Sequence, residues 1–560
     1  MKKKILALLL TGILGVSMLA GCGAEEEAAP AAEAAEATEE AAEEAPAEEA
    51  AEEAAEESGE AVEEEAAEEA PAEDAAEEEE EDAEDAEHLV MTALLFAPIT
   101  NENMERVEKK LNEITLDKIN CTLDVQWMDP GAYMTNVPMM LQAGEQLDLL
   151  MFTPIPVCGF QSFMNQKQLM DITDLLPEYA PDVVDVLGEY LKATSKEGRI
   201  YGVGNLQCFE QHLSIDMRRD ILEQLGLLED AQNLTNFQDF EKILQKVKEE
   251  TDLNPIVNSD SEGTVITTQP FLAGDGDFAD AGWVDNVGDS YYYTYADPAD
   301  NKIKCYFENE KWLKGIKMVR DWYNKGLVYK DAQTSVDSGL TLIRNQVAFC
   351  DSSATELGCE TQAENTTGFP DLNVQISDAK VSTNTFQKFG FAVPVTSKNP
   401  EKALELLNLM WADEEFRNTI TWGIEGEDWI VNEDGMACFP EGKSPENTYH
   451  TADFFYGNRL EIIPWEGQPV DIRQQMKDSN EKTEVSEFFG FSVDSENVAT
   501  QVTAVKAVVD EYKPGLSSGA LTDDVDGKVA EMIQKMYDAG LQDVIDEYQR
   551  QLDAWLAEQK

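Results

Sequence analysis

Residues 89–96 are apolar except at Thr92, a run suited to a strand buried on both faces. Met104, Val107, Leu111 and Ile114 then recur at helical spacing, with Asn101 placed to cap the helix. Leu123, Val125 and Trp127 alternate with polar residues and predict a second strand. Tyr133–Ala143 reads as a helix, at least after Pro138, stopped by Gly144, and Leu147–Phe152 reads as a third strand. This β-α-β-α-β order predicts a parallel sheet with right-handed crossovers. Ligands of such sheets sit at the carboxyl ends of the strands, here Ala97-Pro98, Asp129-Pro130 and Thr153-Pro154.

The same alternation continues. Leu169–Leu176 is a short segment closed by Pro177 and Pro181, and Gly198–Gly204 is a turn into an extended stretch. Arg218–Gly226 reads as a helix with a glycine stop. Asn236 opens another, with Phe240, Ile243, Leu244 and Val247 on one face. Trp312–Lys325 is amphipathic through Ile316, Val319 and Trp322 and ends at Gly326. Asn399-Pro400 gives a cap followed by an N1 proline. Two helices near 523–539 and 541–557, broken at Gly540, close the chain.

Composition changes the picture at the N-terminus. Lys2–Lys4 precede an apolar run from Ile5 to Leu19, the pattern of a cleaved secretory signal. It ends in Leu19-Ala20-Gly21-Cys22, which resembles the bacterial lipobox, whose cysteine is acylated to become the first residue of the mature chain. Residues 23–88 then hold 32 acids and no lysine or arginine. Such a segment cannot bury enough apolar surface to order itself and reads as an extended spacer, spanning on the order of 45 Å as a coil. An acidic interaction tail is the alternative. Residues 89–560 keep 81 acids against 38 bases, within a net charge of -72 for the whole chain. That surface repels nucleic acid and argues against an anionic ligand and acidic lipid. Of the seven cysteines after Cys22, most read as small buried hydrophobes; a Cys350–Cys359 bridge is the pairing considered.

The body resembles the extracellular solute-binding proteins of ABC importers, the sugar-binding group in particular. The matching pieces are Ala143–Asp148, Leu169–Leu176, Gly198–Gly204, Gly326-Leu-Val, and Lys398–Ala403 after the Gly390–Pro394 strand. Gly423–Gly426, Gly490-Phe-Ser-Val and Gln549–Trp555 resemble a C-terminal domain of one lipoprotein branch of that group. The resemblance implies an α/β, two-lobed, class II periplasmic-binding-protein-like fold with a hinge and a helical C-terminal extension. It implies crossovers near Tyr201–Asn205 and Phe389–Pro394, with a third near 430. The implied partition is a signal at 1–21, lipidated Cys22 and linker over 22–88, lobe 1 over 89–204 with 395–430, lobe 2 over 205–394 with 431–490, and a C-terminal part over 491–560 packed on the lobes. It also implies a lipid-anchored, extracellular, monomeric binder that captures a mono- or oligosaccharide, delivers it to permease subunits and needs no cofactor or metal. A peptide or other small-solute binder, or a surface glycosidase, is the alternative.

Enzyme signals fail on inspection. Gly515–Gly519 matches G-x-S-x-G, but the last histidine, His450, precedes Ser517, so the chain order a hydrolase elbow needs is missing. Gly442-Lys-Ser444 has Ala437 where a P-loop needs glycine. Asp275-Gly-Asp277 with Asp280 misses the EF-hand spacing and reads as a solvated turn.

A sugar binder stacks an aromatic ring on the apolar sugar face and points polar side chains at the hydroxyl rim. Candidates on strand ends and loops are Asp129 beside Trp127, Phe152 with Thr153, Trp283, Tyr291–Tyr293, Asp351, Trp422 with Trp429, and Glu425. Core packing is the competing role for Trp127, Trp422 and Trp429, and a plain strand for Tyr291–Tyr293.

Overall fold

The computed structural model describes residues 86–96, 99–257, 271–272, 274–288, 293–335, 337–377 and 380–559. The expected signal, Cys22, the linker up to residue 85, the strand end Ala97-Pro98, and Tyr291 and Tyr292 lie outside the described residues.

The chain opens with β1 (Glu87–Leu94), α1 (Asn101–Ile119), β2 (Cys121–Met128), α2 (Pro130–Ala143) and β3 (Leu150–Phe152). Glu87 and His88 already pair with Cys121 and Thr122, so the first strand begins inside the expected linker. Thr100, not Asn101, caps α1, accepting from the Asn103 amide. Helix α2 starts three residues before the expected Tyr133, because Asp129 caps it and accepts from the Gly131 and Ala132 amides. After β4 (Val203–Gly204) come β5 (Gln211–Arg218), α3 (Phe237–Glu250), β6 (Asn254–Ile256), β7 (Thr294–Asp297), β8 (Lys302–Cys305) and α4 (Glu310–Asn324). Then follow β9 (Ala348–Glu356), α5 (Cys359–Thr367), β10 (Asp371–Ser377), β11 (Gly390–Ala392), α6 (Pro400–Ala412), α7 (Glu414–Trp422) and α8 (Ile472–Asn480). Helices α9 (Ala499–Ser517), α10 (Val525–Asp538) and α11 (Leu541–Glu558) end the described chain.

Two sheets organise two lobes. In lobe 1, β1 pairs in parallel with β2, Met91 bridges Leu149 in parallel, and β11 runs antiparallel between β3 and β4. Its core joins these strands to Val107, Leu111 and Ile114 of α1, Tyr133 and Val137 of α2, and Leu404, Leu407 and Met410 of α6. In lobe 2 the order is β10-β5-β9-β6, with only β9 and β6 parallel. Leu213, Ile215 and Met217 of β5 pack with Phe240, Ile243, Leu244 and Val247 of α3 and with Val319 and Trp322 of α4. A third core joins β7, β8, Trp312 and Ile316 to α9, α10 and α11. Helix α4 therefore enters two cores, with its first turns in the third and its later turns in lobe 2.

The cores correct the expected partition. Leu206, Cys208 and Phe209 belong to the lobe 1 core, and the lobe 2 core begins at Leu213, so the first crossover lies near 210–212 rather than at Tyr201–Asn205. Phe389–Pro394 is no crossover: Phe391 pairs with Met151 and Val203 inside lobe 1, and the return falls between Ile376 and Val381. Tyr449, Phe455, Tyr456, Leu460, Ile472 and Met476 also join lobe 1, where lobe 2 was expected. Their apolar side chains complete its core. The third passage follows α8, where Val485 bridges Val381, rather than lying near 430.

Gly390 faces Gly204 across β11 and β4. A Cβ on Gly390 would lie 2.2 Å from the Val203 carbonyl oxygen and 2.4 Å from the Phe152 ring. Two glycines let these strands meet beneath the crossover. Cys350 and Cys359 are unpaired, and the Cys350 thiol lies 3.1 Å from the Pro255 carbonyl oxygen, so that bridge is absent. Ser517 is fully buried at the end of α9, so the G-x-S-x-G segment closes a helix instead of turning a strand into one. Among the described residues, no helix is long and apolar enough to cross a membrane.

Candidate functional site

A cavity of about 280 Å³ lies between the lobes. Lobe 1 contributes Gln207, Lys388, Phe389, Phe454 and Arg459; lobe 2 contributes the end of β9, the start of α5, Asp216 and Leu340. This is where the carboxyl end of β9 meets the crossover, the position at which open α/β sheets hold ligands.

The lobe 1 wall is built on Asn205–Gln207, the segment that leads into the first crossover. Leu206 donates its amide to the Gly457 carbonyl and accepts from the Arg459 amide, both at 3.0 Å. The Asn205 side chain donates to the Phe455 carbonyl at 2.7 Å, and the Gln207 side chain donates to the Phe454 carbonyl at 3.2 Å. These bonds hold Phe454–Arg459 against Asn205–Gln207. The rings then pack on one another: Phe389 lies 5.3 Å from both Phe454 and Phe455, and Phe96 lies 5.1 Å from Phe455. Phe96 is 58% exposed, so this apolar patch opens to solvent at the end of β1.

The lobe 2 wall is polar. Even-numbered residues of β5 point opposite to Leu213, Ile215 and Met217. Asp216 accepts from the Ser353 hydroxyl at 2.6 Å and the Asn373 amide at 2.7 Å, and Thr355 donates to the Ser214 hydroxyl at 2.7 Å. Burial pushes the Asp216 and Asp371 carboxyls up, and the charge of Asp216 adds to the rise at Asp371.

Charges cross the gap. Glu356, at the end of β9, forms an ion pair with Arg459 of lobe 1. Arg459 also meets Asp453 at 2.9 Å, and Asp453 meets Arg473 at 2.7 Å. Burial alone would raise Asp453, but the two guanidinium charges hold it at about 2. Burial pushes the Lys388 ammonium down, opposed by the charge of Glu356. The cavity can thus present apolar ring faces beside paired donors and acceptors.

Asp129, Phe152, Thr153, Trp283, Asp351, Trp422 and Glu425 all lie outside the lining of this cavity. Asp129 is exposed at the end of β2, but its carboxylate caps α2. Phe152 is fully buried with its ring 5.2 Å from Phe160, and Thr153 is fully buried with its hydroxyl accepting from the Ile155 amide. Both are corrected to lobe 1 core, because β3 is an interior strand. Asp351 is buried within β9. Trp422 is buried, donates to the Ile463 carbonyl and stacks on His450, with Trp429 in the same small cluster, so both are packing residues. Glu425 is exposed on a separate groove beside Arg106 and Lys110. Trp283 lines a larger groove of about 920 Å³ along β10 and α8. In that groove His212 contacts Ser377 and Glu210, and Ser479 donates to Glu210, so these polar groups engage one another. Sequence reasoning missed Phe389, Phe454, Glu356 and Arg459. The signal at hand was the aromatic triplet Phe454–Tyr456 ahead of Gly457 in an otherwise polar stretch.

Two α/β lobes around a cleft, with a helical C-terminal extension, define a class II solute-binding fold. The chain belongs to the bacterial extracellular solute-binding protein family, whose model matches residues 110–426. Residues 487–557 match a domain of unknown function, DUF3502. A "Carbohydrate ABC transporter substrate-binding protein" of Streptococcus pneumoniae serotype 4 (strain ATCC BAA-334 / TIGR4) is 22% identical over 474 residues, 82% of this chain and 89% of that protein. The solved N-glycan transport solute binding protein NgtS of Streptococcus pneumoniae is similar with a TM-score of 0.71 at 20% identity, covering 85% of this chain and all of the other. The S. pneumoniae substrate binding protein FusA in complex with kestose gives a TM-score of 0.58 at 15% identity, over 84% of this chain and 100% of that one. At these identities the likeness shows the fold.

Proposed function

We propose that this protein captures a mono- or oligosaccharide in the cleft between Phe389 and Glu356 and delivers it to the permease of an ABC importer. The observation that carries the reading is the cleft wall. Phe389 and Phe454 line the cavity from lobe 1, the exposed ring of Phe96 joins them from outside it through Phe455, and the facing lobe supplies Glu356, Thr355 and Gln362. Rings fit the apolar face of a sugar, and these polar groups fit its hydroxyls. The names of the relatives, a carbohydrate transporter component, an N-glycan binder and a kestose complex, support the same class. Binding selects the closed arrangement of the lobes, and the permease recognises that arrangement. The protein turns nothing over. Acylation of Cys22 anchors the protein, a monomer, to the outer face of the cytoplasmic membrane.

A thermal-shift panel of mono-, oligosaccharides and peptides tests this. A cognate sugar raises Tm by mass action, by an amount that grows with its concentration. A shift with peptides and none with sugars overturns the carbohydrate class. Release of products from a glycan mixture overturns the binder.

A further inference from the structure

The cations of the cleft are already answered by acids. Arg459, only 5% exposed at its side chain, is bound by Glu356 from the opposite lobe and by Asp453 from its own. Arg473 shares Asp453. Lys388, the other cation lining the cavity, lies within the field of the Glu356 charge. Glu356 is therefore the lobe 2 carboxylate that binds Arg459 and whose charge acts on Lys388, while both cations come from lobe 1.

An anionic sugar entering this cavity must give up its water and settle beside Glu356, with both cations already engaged. That leaves its charge poorly compensated. A hydroxyl both donates and accepts, so neighbouring hydroxyls can bond the carboxylate and the guanidinium together without separating the pair. The guanidinium carbon of Arg459 also lies 5.9 Å from the centre of the Phe454 ring, which places the charged pair at the edge of the apolar patch. A neutral sugar therefore meets stacking and bonding groups side by side.

We infer that the Glu356–Arg459 pair is the specificity determinant of the cleft: it admits uncharged saccharides and rejects uronate-bearing ones. The inference rests on the carbohydrate reading and names the charge class within it. Rejection of this kind is a difference in affinities, so it is read as a ratio.

Affinities of the full chain are measured for neutral oligosaccharides and for oligosaccharides of equal length carrying one glucuronate. The wild type prefers the neutral set. Glu356→Gln keeps the shape and frees the field of Arg459 and Lys388, so the preference for neutral sugar falls by about tenfold or more, through gained affinity for the acidic sugar as well as lost affinity for the neutral one. The triple variant Glu356→Met, Lys388→Met, Arg459→Met removes all three charges and restores the neutral preference. It also serves if Glu356→Gln does not fold, since an apolar pair of similar volume is tolerated where a half-pair is not. A Glu356→Gln protein with the wild-type ratio overturns this inference alone, as does a triple variant that prefers the acidic sugar. A folded wild type that binds no sugar of either kind overturns the carbohydrate reading and this inference with it.

Discussion

The rings of Phe96 and Phe455 lie 5.1 Å apart at 53°, one 58% exposed at the end of β1 and the other fully buried in the lobe 1 core. A core residue thus supports a solvent-facing ring at a strand's carboxyl end. Phe96→Ala is expected to lower sugar affinity by about tenfold. Its exposure means that the unliganded protein keeps its Tm. Titration calorimetry with a parallel melting scan checks both, and an unchanged affinity removes Phe96 from the site.

The strand pair under the crossover gives a stability prediction. Gly390→Ala places a methyl against the Val203 carbonyl and the Phe152 ring. Overpacking of a closed interior costs about 1–3 kcal/mol, and backbone contact puts this site at the upper end. Urea denaturation should show the midpoint falling. An unchanged midpoint would mean that β4 and β11 separate at no cost.

Asp453 neutralises two buried guanidinium groups. Asp453→Asn should cost about 3–5 kcal/mol, because it leaves the buried Arg473 without its carboxylate and Arg459 with Glu356 alone. The sign with pH follows from a folded pKa held at about 2, below the ordinary value of 3.8. The stabilisation is present in full above about 4 and is lost as pH falls toward 2. Acid unfolding monitored by tryptophan fluorescence should start at higher pH in the variant.

Asp285 behaves in the opposite sense. It is buried between β7 and the segment before α9, accepts from the Ser486 hydroxyl, and burial lifts its carboxyl to about 6. The folded state therefore holds its proton more tightly, and this group lowers stability as pH rises from about 4 to about 6. Asp285→Asn should remove that slope and stabilise the protein at pH 7 by up to about 3 kcal/mol. Comparing variant with wild type isolates this group from His450, whose pKa burial lowers to about 4. Equal pH dependence in the two proteins would assign the carboxyl no role.

How much of this was legible depended on the scale of the signal. The alternation in β2 and the helical stripe of α3 are local patterns, and Leu123, Val125, Phe240, Ile243, Leu244 and Val247 are buried as read. Asp129 was legible as a residue at a strand end, but the same oxygen that suits a ligand also suits the amides of Gly131 and Ala132, and the helix takes it. Phe152 and Trp422 were aromatic residues in promising positions. Whether a ring faces a cleft or a core is set by its neighbours in space, here Phe160 and His450. The cleft itself joins Gln207, Glu356, Phe389 and Arg459 from segments far apart in sequence. Such an assembly leaves no spacing to read. The polar face of β5, with Ser214 and Asp216 alternating with Leu213 and Ile215, did carry a period of two that marks one wall of the site.

The most direct test is the mass of whatever the cleft retains after purification, read by native mass spectrometry of wild type and Phe96→Ala side by side. The wild type is expected to retain an uncharged saccharide, one per chain, and the variant to be depleted of it. A retained peptide, or a saccharide held equally by both proteins, would contradict this.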